Sequence, residues 1–120
     1  MILDAGPLIA TDRDRRALAI LMKMARADGH TVRTTEAVVA QVWRNGASQA
    51  NLASALKAIE VESFGDGKTV GELCAAAETS DVVDASLAIL AARTHETLLT
   101  GDLPDFEVLR THLDFDLRPW

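Results

Sequence analysis

Residues 80–105 read Ser-Asp-Val-Val-Asp-Ala-Ser-Leu-Ala-Ile-Leu-Ala-Ala-Arg-Thr-His-Glu-Thr-Leu-Leu-Thr-Gly-Asp-Leu-Pro-Asp. Two aspartates, Asp81 and Asp84, open an apolar helix, and the short strand over residues 97–100 that follows it ends on Gly-Asp. A helix that leads into a buried strand is typical of a parallel sheet covered by helices. In such sheets, ligands bind in the crevice beyond the carboxyl ends of the strands. The stretch therefore predicts an α/β fold with an acidic site at that edge of the sheet.

Strands and helices alternate along the rest of the chain. Short apolar or alternating runs predict strands over residues 1–4, 31–34, 60–64 and 115–118, and helical spacing predicts helices over residues 14–28, 35–45, 48–59, 69–78, 81–93 and 105–112 and a short helical turn over residues 7–10. This order predicts helices on both faces of a mostly parallel central sheet of about 4–5 strands, with right-handed crossovers. Asp14 and Ser48 are the predicted caps of two helices. No linker or repeat interrupts the pattern, so residues 1–120 are predicted to form a single domain.

The composition limits the classes of function. The net charge of −6 argues against a protein that binds nucleic acid by bulk electrostatics, although an enzyme with an acidic site and a basic rim is still compatible with it. Cys74 is the only cysteine, which rules out a disulfide framework and favours the reducing cytoplasm. No apolar run reaches the roughly 20 residues that span a bilayer, and the start of the chain does not read as a secretory signal.

Three aspartates occupy positions where chemistry is expected. Asp4 and Asp102 each follow a predicted strand, and Asp84 lies in the first turn of the central helix. Asp is also common at turns and strand ends, so each residue alone has a purely structural explanation. Asp84, however, lies among apolar neighbours, where an uncompensated charge is costly. Carboxylates from separate segments, without His or Cys, fit Mg²⁺ or Mn²⁺ better than Zn²⁺.

Two further acids have stronger structural explanations. Asp81 precedes the central helix and is placed to cap it, and Asp105 could cap the helix that contains Phe106. The three histidines, His30, His95 and His112, show no zinc-ligand spacing and are expected at the surface.

Arginines are the natural phosphate contacts if the acidic site cuts nucleic acid. The candidates are Arg13, Arg15 and Arg44, with Arg33 as a further possibility. The simpler explanation of these residues is that they are solvent-exposed surface residues. Trp43, beside Arg44, is predicted to lie in the core.

Two other phosphate-handling families are disfavoured. Gly67-Lys68-Thr69 resembles the end of a P-loop, but that motif needs a glycine five residues before Gly67, where Glu62 stands. We therefore predict no nucleotide cofactor. A phosphatase of the haloacid dehalogenase type would want a second Asp two residues after Asp4, where Gly6 stands.

Three segments together resemble the PIN-domain proteins. The opening residues 1–10, Met-Ile-Leu-Asp-Ala-Gly-Pro-Leu-Ile-Ala, resemble the first PIN strand and its catalytic Asp. Residues 84–91, Asp-Ala-Ser-Leu-Ala-Ile-Leu-Ala, resemble the PIN helix Asp-Ala-x-Ile-Ala-Ala-x-Ala, and residues 99–106, Leu-Thr-Gly-Asp-Leu-Pro-Asp-Phe, resemble Thr-x-Asp-x-x-Asp-Phe. The resemblance covers essentially the whole chain and implies a PIN-like three-layer α/β/α fold.

The resemblance also implies roles for individual residues. Asp4, Asp84 and Asp102 match the catalytic, metal-binding carboxylates, Thr100 a hydroxyl residue next to the site, and Asp105 a more variable extra acid. The family usually has a Glu on the helix after the second strand, and here Gln41 stands in that place. Gln41 can still ligate through its carbonyl oxygen or hold a metal-bound water, but it brings no charge. We hypothesise that Asp81 restores the missing acid.

The length and the order of elements are similar to those of the VapC-type toxins of bacterial toxin–antitoxin pairs. This likeness implies a Mg²⁺- or Mn²⁺-dependent endoribonuclease, with RNA as substrate, an antitoxin protein as partner and a homodimer as the assembly. The alternative is a binding or regulatory module of the same fold, in which Gln41 has weakened the affinity for metal and with it the catalysis.

Overall fold

The computed structural model describes residues 1–120, the whole chain. Its elements are β1 (Ile2–Leu3), α1 (Ala5–Arg13), α2 (Arg16–Ala27), β2 (Arg33–Thr35), α3 (Glu36–Val42), a 3₁₀ turn (Gly46–Ser48), α4 (Ala50–Ala58), β3 (Glu60–Glu62), α5 (Gly67–Ala77), α6 (Val82–Thr94), β4 (Leu98–Thr100), α7 (Leu103–Arg110) and β5 (Leu117–Pro119). No helix combines the length and the apolar character that crossing a membrane would need.

The sheet is parallel throughout and has five strands in the order β3-β2-β1-β4-β5. The first strand therefore lies at the centre, between β2 and β4. Ile2 pairs with Arg33 on one side and with Leu98 on the other, so the carboxyl ends of these strands meet at one edge of the sheet. The predicted α/β fold is confirmed, and the sheet is entirely rather than mostly parallel.

Two groups of helices form the outer layers. Helix α1 packs against α2, α3 and α4, whereas α6 packs against α5 and α7. The main core contains the short strands and the inner faces of these helices, including the fully buried side chains of Ile2, Leu8, Leu87 and Phe106. The three-layer α/β/α arrangement that the PIN-like motifs imply is confirmed.

Helix α6 is buried around most of its circumference. Its buried residues run almost without interruption from the first turn to the last, namely Asp84, Ala85, Ser86, Leu87, Ala88, Leu90 and Ala91. Small alanines allow close approach of α5, α7 and β4, so the helix forms the centre of its layer. A carboxylate in the first turn of such a helix loses much of its contact with water.

Helix α1 is longer than the sequence indicates. The helical turn predicted over residues 7–10 is confirmed as part of a longer helix of nine residues, which begins directly after Asp4, whose side chain caps it. Pro7 lies in the first turn of this helix, where a missing backbone N–H breaks no intrahelical bond. The Gly-Pro pair thus does not interrupt the chain, and the end of β1 leads at once into a helix.

Other element boundaries also move. Both edge strands are shorter than predicted: the strands expected over residues 60–64 and 115–118 are observed as Glu60–Glu62 and Leu117–Pro119. The helix predicted over residues 105–112 begins earlier, at Leu103. Asp14 accepts a hydrogen bond from the backbone N–H of Arg16, but α2 has no side-chain cap. Because α7 begins at Leu103, Asp105 lies inside its first turn and is not its cap.

The connection after α3 differs most from the prediction. The helix predicted over residues 35–45 ends at Val42, and Ser48 lies in the 3₁₀ turn without capping α4. Trp43 is not in the core: it is 37% exposed, and its ring lies over Gly46, where an added Cβ would come within 2.9 Å of the indole.

The buried Gln49 organises this connection. Its Oε1 accepts hydrogen bonds from the backbone N–H groups of Arg44 and Asn45, at 2.7 and 2.9 Å. Its Nε2 donates to the carbonyl of Val42 at 3.0 Å and to Oδ2 of Asp12 at 3.2 Å. One amide side chain thus ties the end of α3 to α1, and with it the position of α3 beside β1.

Arg33 lies at the amino ends of the strands, away from the edge where the acids were predicted. Its guanidinium pairs with Glu60, Glu62 and Glu96 at 2.7–2.8 Å, and Glu96 also accepts from the amino group of Met1. Its role as a candidate phosphate contact is therefore wrong. The cluster instead joins β1, β2, β3 and the segment before β4 at the edge opposite the carboxyl ends.

Candidate active site

A cleft of about 310 Å³ opens at the carboxyl ends of β1 and β4. It is lined by Asp4, Ala5, Gly6, Gln41, Asp81, Asp84, Gly101 and Asp102. Four of these eight residues are aspartates, and none is basic. The parallel sheet brings them together because β1 and β4 are neighbours whose carboxyl ends meet at this edge.

Asp4 is held rigidly at the end of β1. Its backbone N–H donates to the carbonyl of Leu99 at 3.0 Å, and its Oδ1 accepts from the N–H of Ala5 at 2.7 Å. Its Oδ2 accepts from the hydroxyl of Thr100 at 2.7 Å. The side chain is almost fully buried, so both of its oxygens are fixed by neighbours rather than by water.

Thr100 joins the two strand ends. Its buried hydroxyl donates to Asp4 and accepts a hydrogen bond from the backbone N–H of Asp102 at 2.9 Å. A hydroxyl can do both at once because it has one donor and two acceptor lone pairs. Thr100 therefore fixes Asp4 with respect to the Gly101-Asp102 turn.

Asp81 and Asp84 stand at the start of α6. Asp81 is the N-cap, since its Oδ1 accepts from the backbone N–H of Asp84 at 3.0 Å, and the predicted capping role is confirmed. Asp84 lies within the buried first turn. Its burial, together with the charges of Asp81, Asp4 and Asp105, raises the pKa of Asp84 from 3.8 to about 8. Without a cation, this carboxyl is therefore largely protonated at neutral pH.

Asp105 occupies a groove next to the cleft. The groove has a volume of about 200 Å³, lies between α5, α6 and α7, and shares Asp81 and Asp84 with the cleft. A hydrogen bond to Asp102 and the charge of that residue raise the pKa of Asp105. Asp102 is the residue before α7 and makes no side-chain cap bond, so its carboxylate is free to interact with Asp105. The acids thus form a continuous band across the start of α6.

Gln41 is exposed on α3 and faces the cleft. It is the uncharged residue at the place where the PIN-like pattern has a Glu. Glu36 lies five residues earlier, at the start of α3, and does not line the cleft. The acid that approaches from the neighbouring helix is Asp81.

None of the candidate arginines lines the cleft. Arg44 lies closest in sequence to Gln41, and its guanidinium donates to the carbonyls of Ala40 and Trp43 at 2.9 and 2.7 Å. Arg13 ends α1, about 12 Å along the helix axis from Ala5. Arg15 follows it and is exposed. The three histidines are exposed as well, as predicted.

The donor set suits a hard divalent cation in kind, since it consists of carboxylate and amide oxygens around one cleft. No three His, Cys, Asp or Glu side chains converge closely enough to hold a metal ion. The burial of Asp84 and the neighbouring carboxylates, which raise its pKa, are the cost that a bound cation would offset. A cation would have to be bound by side-chain adjustment around a backbone that is already in place.

Sequence reasoning did not find Trp120. Its backbone N–H donates to the carbonyl of Thr100 at 2.8 Å, and its ring lies near Gly6 at the rim of the cleft. The available signal was topological, because a last strand that pairs with β4 carries the residues after it to the same edge as Asp102.

No protein-family model matches the chain, and no curated protein matches it either. Among solved structures, a chain of the crystal structure of VapBC2 from Rickettsia felis bound to a DNA fragment from their promoter is similar, with a TM-score of 0.75 and 18% identity. The match covers 99% of this chain and 97% of that chain. At this identity the likeness shows the fold, and the fold is the PIN-like three-layer α/β/α arrangement that the motifs around Asp4, Asp84 and Asp102 predict.

Proposed function

We propose that this chain is a divalent-metal-dependent endoribonuclease, acting in the cytoplasm as the toxin of a toxin–antitoxin pair, with residues 1–120 as its single domain. One observation carries the proposal. Asp4, Asp84 and Asp102 come from three distant segments and line one cleft at the carboxyl edge of a parallel sheet. Such edges are where ligands bind in open α/β sheets.

The carboxylates of Asp4, Asp84 and Asp102 would hold Mg²⁺ or Mn²⁺, with Asp81 as a fourth acid. When bound, the ion supplies a Lewis acid that lowers the pKa of a coordinated water and stabilises charge on the leaving oxygen of a phosphodiester. Oxygen ligands without His or Cys favour these ions over Zn²⁺.

The protein's own residues prepare the cleft for this role. Thr100 fixes Asp4 and the Asp102 turn with a single hydroxyl, so the first and third carboxylates keep their separation. The carboxyl of Asp84 holds a proton at neutral pH, and it would have to release that proton in order to bind a cation. Gln41 can accept or donate a hydrogen bond at the rim without adding charge, and Asp105 extends the acidic band beyond the cleft.

RNA would meet basic residues only outside the cleft. Arg44 is the candidate closest in sequence to Gln41, three residues further on and past the end of α3. Arg13 and Arg15 lie at the far end of α1 and could contact only an RNA that extends well past the cleavage point. The phosphate at the cleft itself would be bound without a cationic side chain, which makes binding depend on the metal.

An antitoxin would cover the same cleft. Four aspartates without a basic neighbour form a receptor for a guanidinium, which binds carboxylates in a bidentate way. The similar chain comes from a VapBC2 crystal structure, which supports a partner of this kind. We also propose a homodimer, on the resemblance to the VapC-type toxins.

The direct test is cleavage of total RNA by the purified protein with Mg²⁺ or Mn²⁺, compared with the same reaction in EDTA. We expect fragments with either metal and none with the chelator. If the folded protein cleaves no RNA in any metal and the metals do not bind, the alternative of a binding or regulatory module becomes the better reading. Gln41 is the residue that favours that alternative, because it stands where PIN-domain proteins usually have a Glu and so leaves the site with one negative charge fewer.

Asp81→Asn tests whether Asp81 supplies that missing charge. Asn is as good an N-cap as Asp, so α6 should stay intact while one carboxylate is lost. We expect metal-dependent cleavage to fall by more than about 100-fold, as in Asp84→Asn, because loss of a metal ligand should cost at least as much as loss of a residue that supports one. Asp66→Asn at the cap of α5, outside the cleft, is the matched control. An unchanged rate in Asp81→Asn would leave Asp81 as a cap only.

A further inference from the structure

Trp120 places a partly exposed indole at the rim of the acidic cleft. Gly6 lines the cleft two residues beyond Asp4, and a Cβ added at Gly6 would lie 3.8 Å from Cδ1 of Trp120. The same added atom would lie 3.6 Å from the backbone N of Gly101, which also lines the cleft. The indole therefore rests where the ends of β1 and β4 come together.

The position of Trp120 is fixed by the sheet. Thr100 pairs with Pro119, and the carbonyl of Thr100 accepts from the N–H of Trp120 at 2.8 Å. Thr100 is also the residue whose hydroxyl binds Asp4 and the Asp102 backbone. The indole and the carboxylates thus share one short piece of backbone as their common support.

The ring is 42% exposed, so part of it is open to a ligand. The cleft beside it contains no basic residue, and the chain has a net charge of −6. Binding of RNA by phosphate contacts is therefore weak at this point. A flat aromatic side chain offers an uncharged alternative, because unpaired bases stack on Trp irrespective of their sequence.

We propose that Trp120 is the stacking platform for an unpaired base of the RNA substrate, next to the phosphate that occupies the cleft. The inference rests on the proposed ribonuclease function and adds a substrate class to it. The cleft takes single-stranded or looped RNA, since a paired base has no free face to offer. Trp120 acts as a positioning residue, and the reacting atoms stay with the carboxylates.

The test compares three substitutions at one position in steady-state cleavage of a single-stranded RNA with Mg²⁺. Trp120→Ala should raise KM about 5- to 150-fold, the range that corresponds to loss of one base–aromatic stack, with a much smaller change in kcat. Trp120→Phe should recover most of the affinity because it keeps an aromatic face. Trp120→Leu keeps an apolar contact with Gly6 but should behave like Trp120→Ala. Melting curves of all three establish that each variant is folded.

A second measurement reports on the indole itself. With Trp43→Phe, Trp120 is the only tryptophan, and rapid mixing records its emission before cleavage proceeds. Random-sequence single-stranded oligoribonucleotides added with Mg²⁺ should quench the emission of Trp120 in a saturable way. The same sequences annealed into duplexes should quench it far less.

The outcomes separate this inference from the proposed function. If wild type cleaves RNA but Trp120→Ala keeps the same KM and the emission does not respond, the stacking role is wrong and the ribonuclease stands. If Trp120→Leu recovers activity as well as Trp120→Phe, the ring serves only as apolar packing and the stacking role is again wrong. If wild type neither cleaves nor binds RNA with any metal, both proposals fail together.

Discussion

Replacing Asp84 by Asn should lower metal-dependent RNA cleavage by more than about 100-fold, because removal of residues that merely support metal ligands already costs about 10–100-fold. Asp84, like Asp81, lines both the cleft and the neighbouring groove, and it is the acid whose pKa is shifted most, to about 8. Asn has the same shape without the charge. The protonated carboxyl that it replaces is already neutral in the metal-free protein at neutral pH, so the fold should not suffer.

The measurement is the initial rate of RNA cleavage at saturating Mg²⁺, with circular dichroism to establish that the variant is folded. Asp28→Asn is a matched control, because Asp28 ends α2 and lies outside the cleft. We expect its rate to equal that of wild type. If Asp84→Asn cleaves RNA at a rate within about threefold of wild type, Asp84 is not a metal ligand.

The importance of Asp84 could be predicted from the sequence because its signal is local. A carboxylate in the first turn of an apolar helix conflicts with its surroundings, and such conflicts mark functional sites. The structure explains the conflict, since α6 is buried on nearly all sides and its first turn faces other acids. The parallel sheet also followed from the alternation of elements, whereas the central place of β1 is known only from the structure.

Other parts of the site depend on contacts that no local pattern reports. Asp4 was expected to end a strand, and the structure shows that it also caps α1, which begins directly after it. The double hydrogen bond of Thr100 requires β1 and β4 to be neighbours, which is a property of the sheet order. The exposure of Trp43 depends on Gly46, whose missing side chain makes room for the ring outside the core.

The arginines show the limit of charge-based reasoning. Their residue type suggests phosphate binding, but position is set by element length and direction. Arg13 is carried away from the cleft by the nine residues of α1, and Arg33 is used at the opposite edge by three glutamates. Arg44 follows the end of α3, and its guanidinium is bound to the carbonyls of Ala40 and Trp43.

In EDTA, the free energy of unfolding of wild type should fall as the pH rises from about 5 to above 8, relative to Asp84→Asn. The pKa of Asp84 is near 8 in the folded protein and returns to about 3.8 in the unfolded chain. The folded state therefore binds the proton more tightly. The stability from this proton is fully present below about pH 4 and is lost as the pH passes through 8.

The size of the effect should be about 1–3 kcal/mol, which is less than the full shift implies because the cleft is open to water and screens the charges. Urea titrations of both proteins at several pH values measure it. The exposed histidines are the same in both proteins, so their contribution cancels in the difference. Parallel curves for wild type and Asp84→Asn would show that Asp84 is ionised throughout and that its neighbours do not repel it.

Addition of Mg²⁺ should reverse this pH dependence in wild type alone. A ligand that binds only the folded state stabilises it by about 2.7 kcal/mol at a concentration 100 times its Kd. Protons compete for Asp84 below its pKa, so the gain should be small at pH 5 and large at pH 8. Asp84→Asn should gain much less at either pH. An equal gain in both proteins would place the cation elsewhere, because a site built on Asp84 cannot bind equally well without its charge.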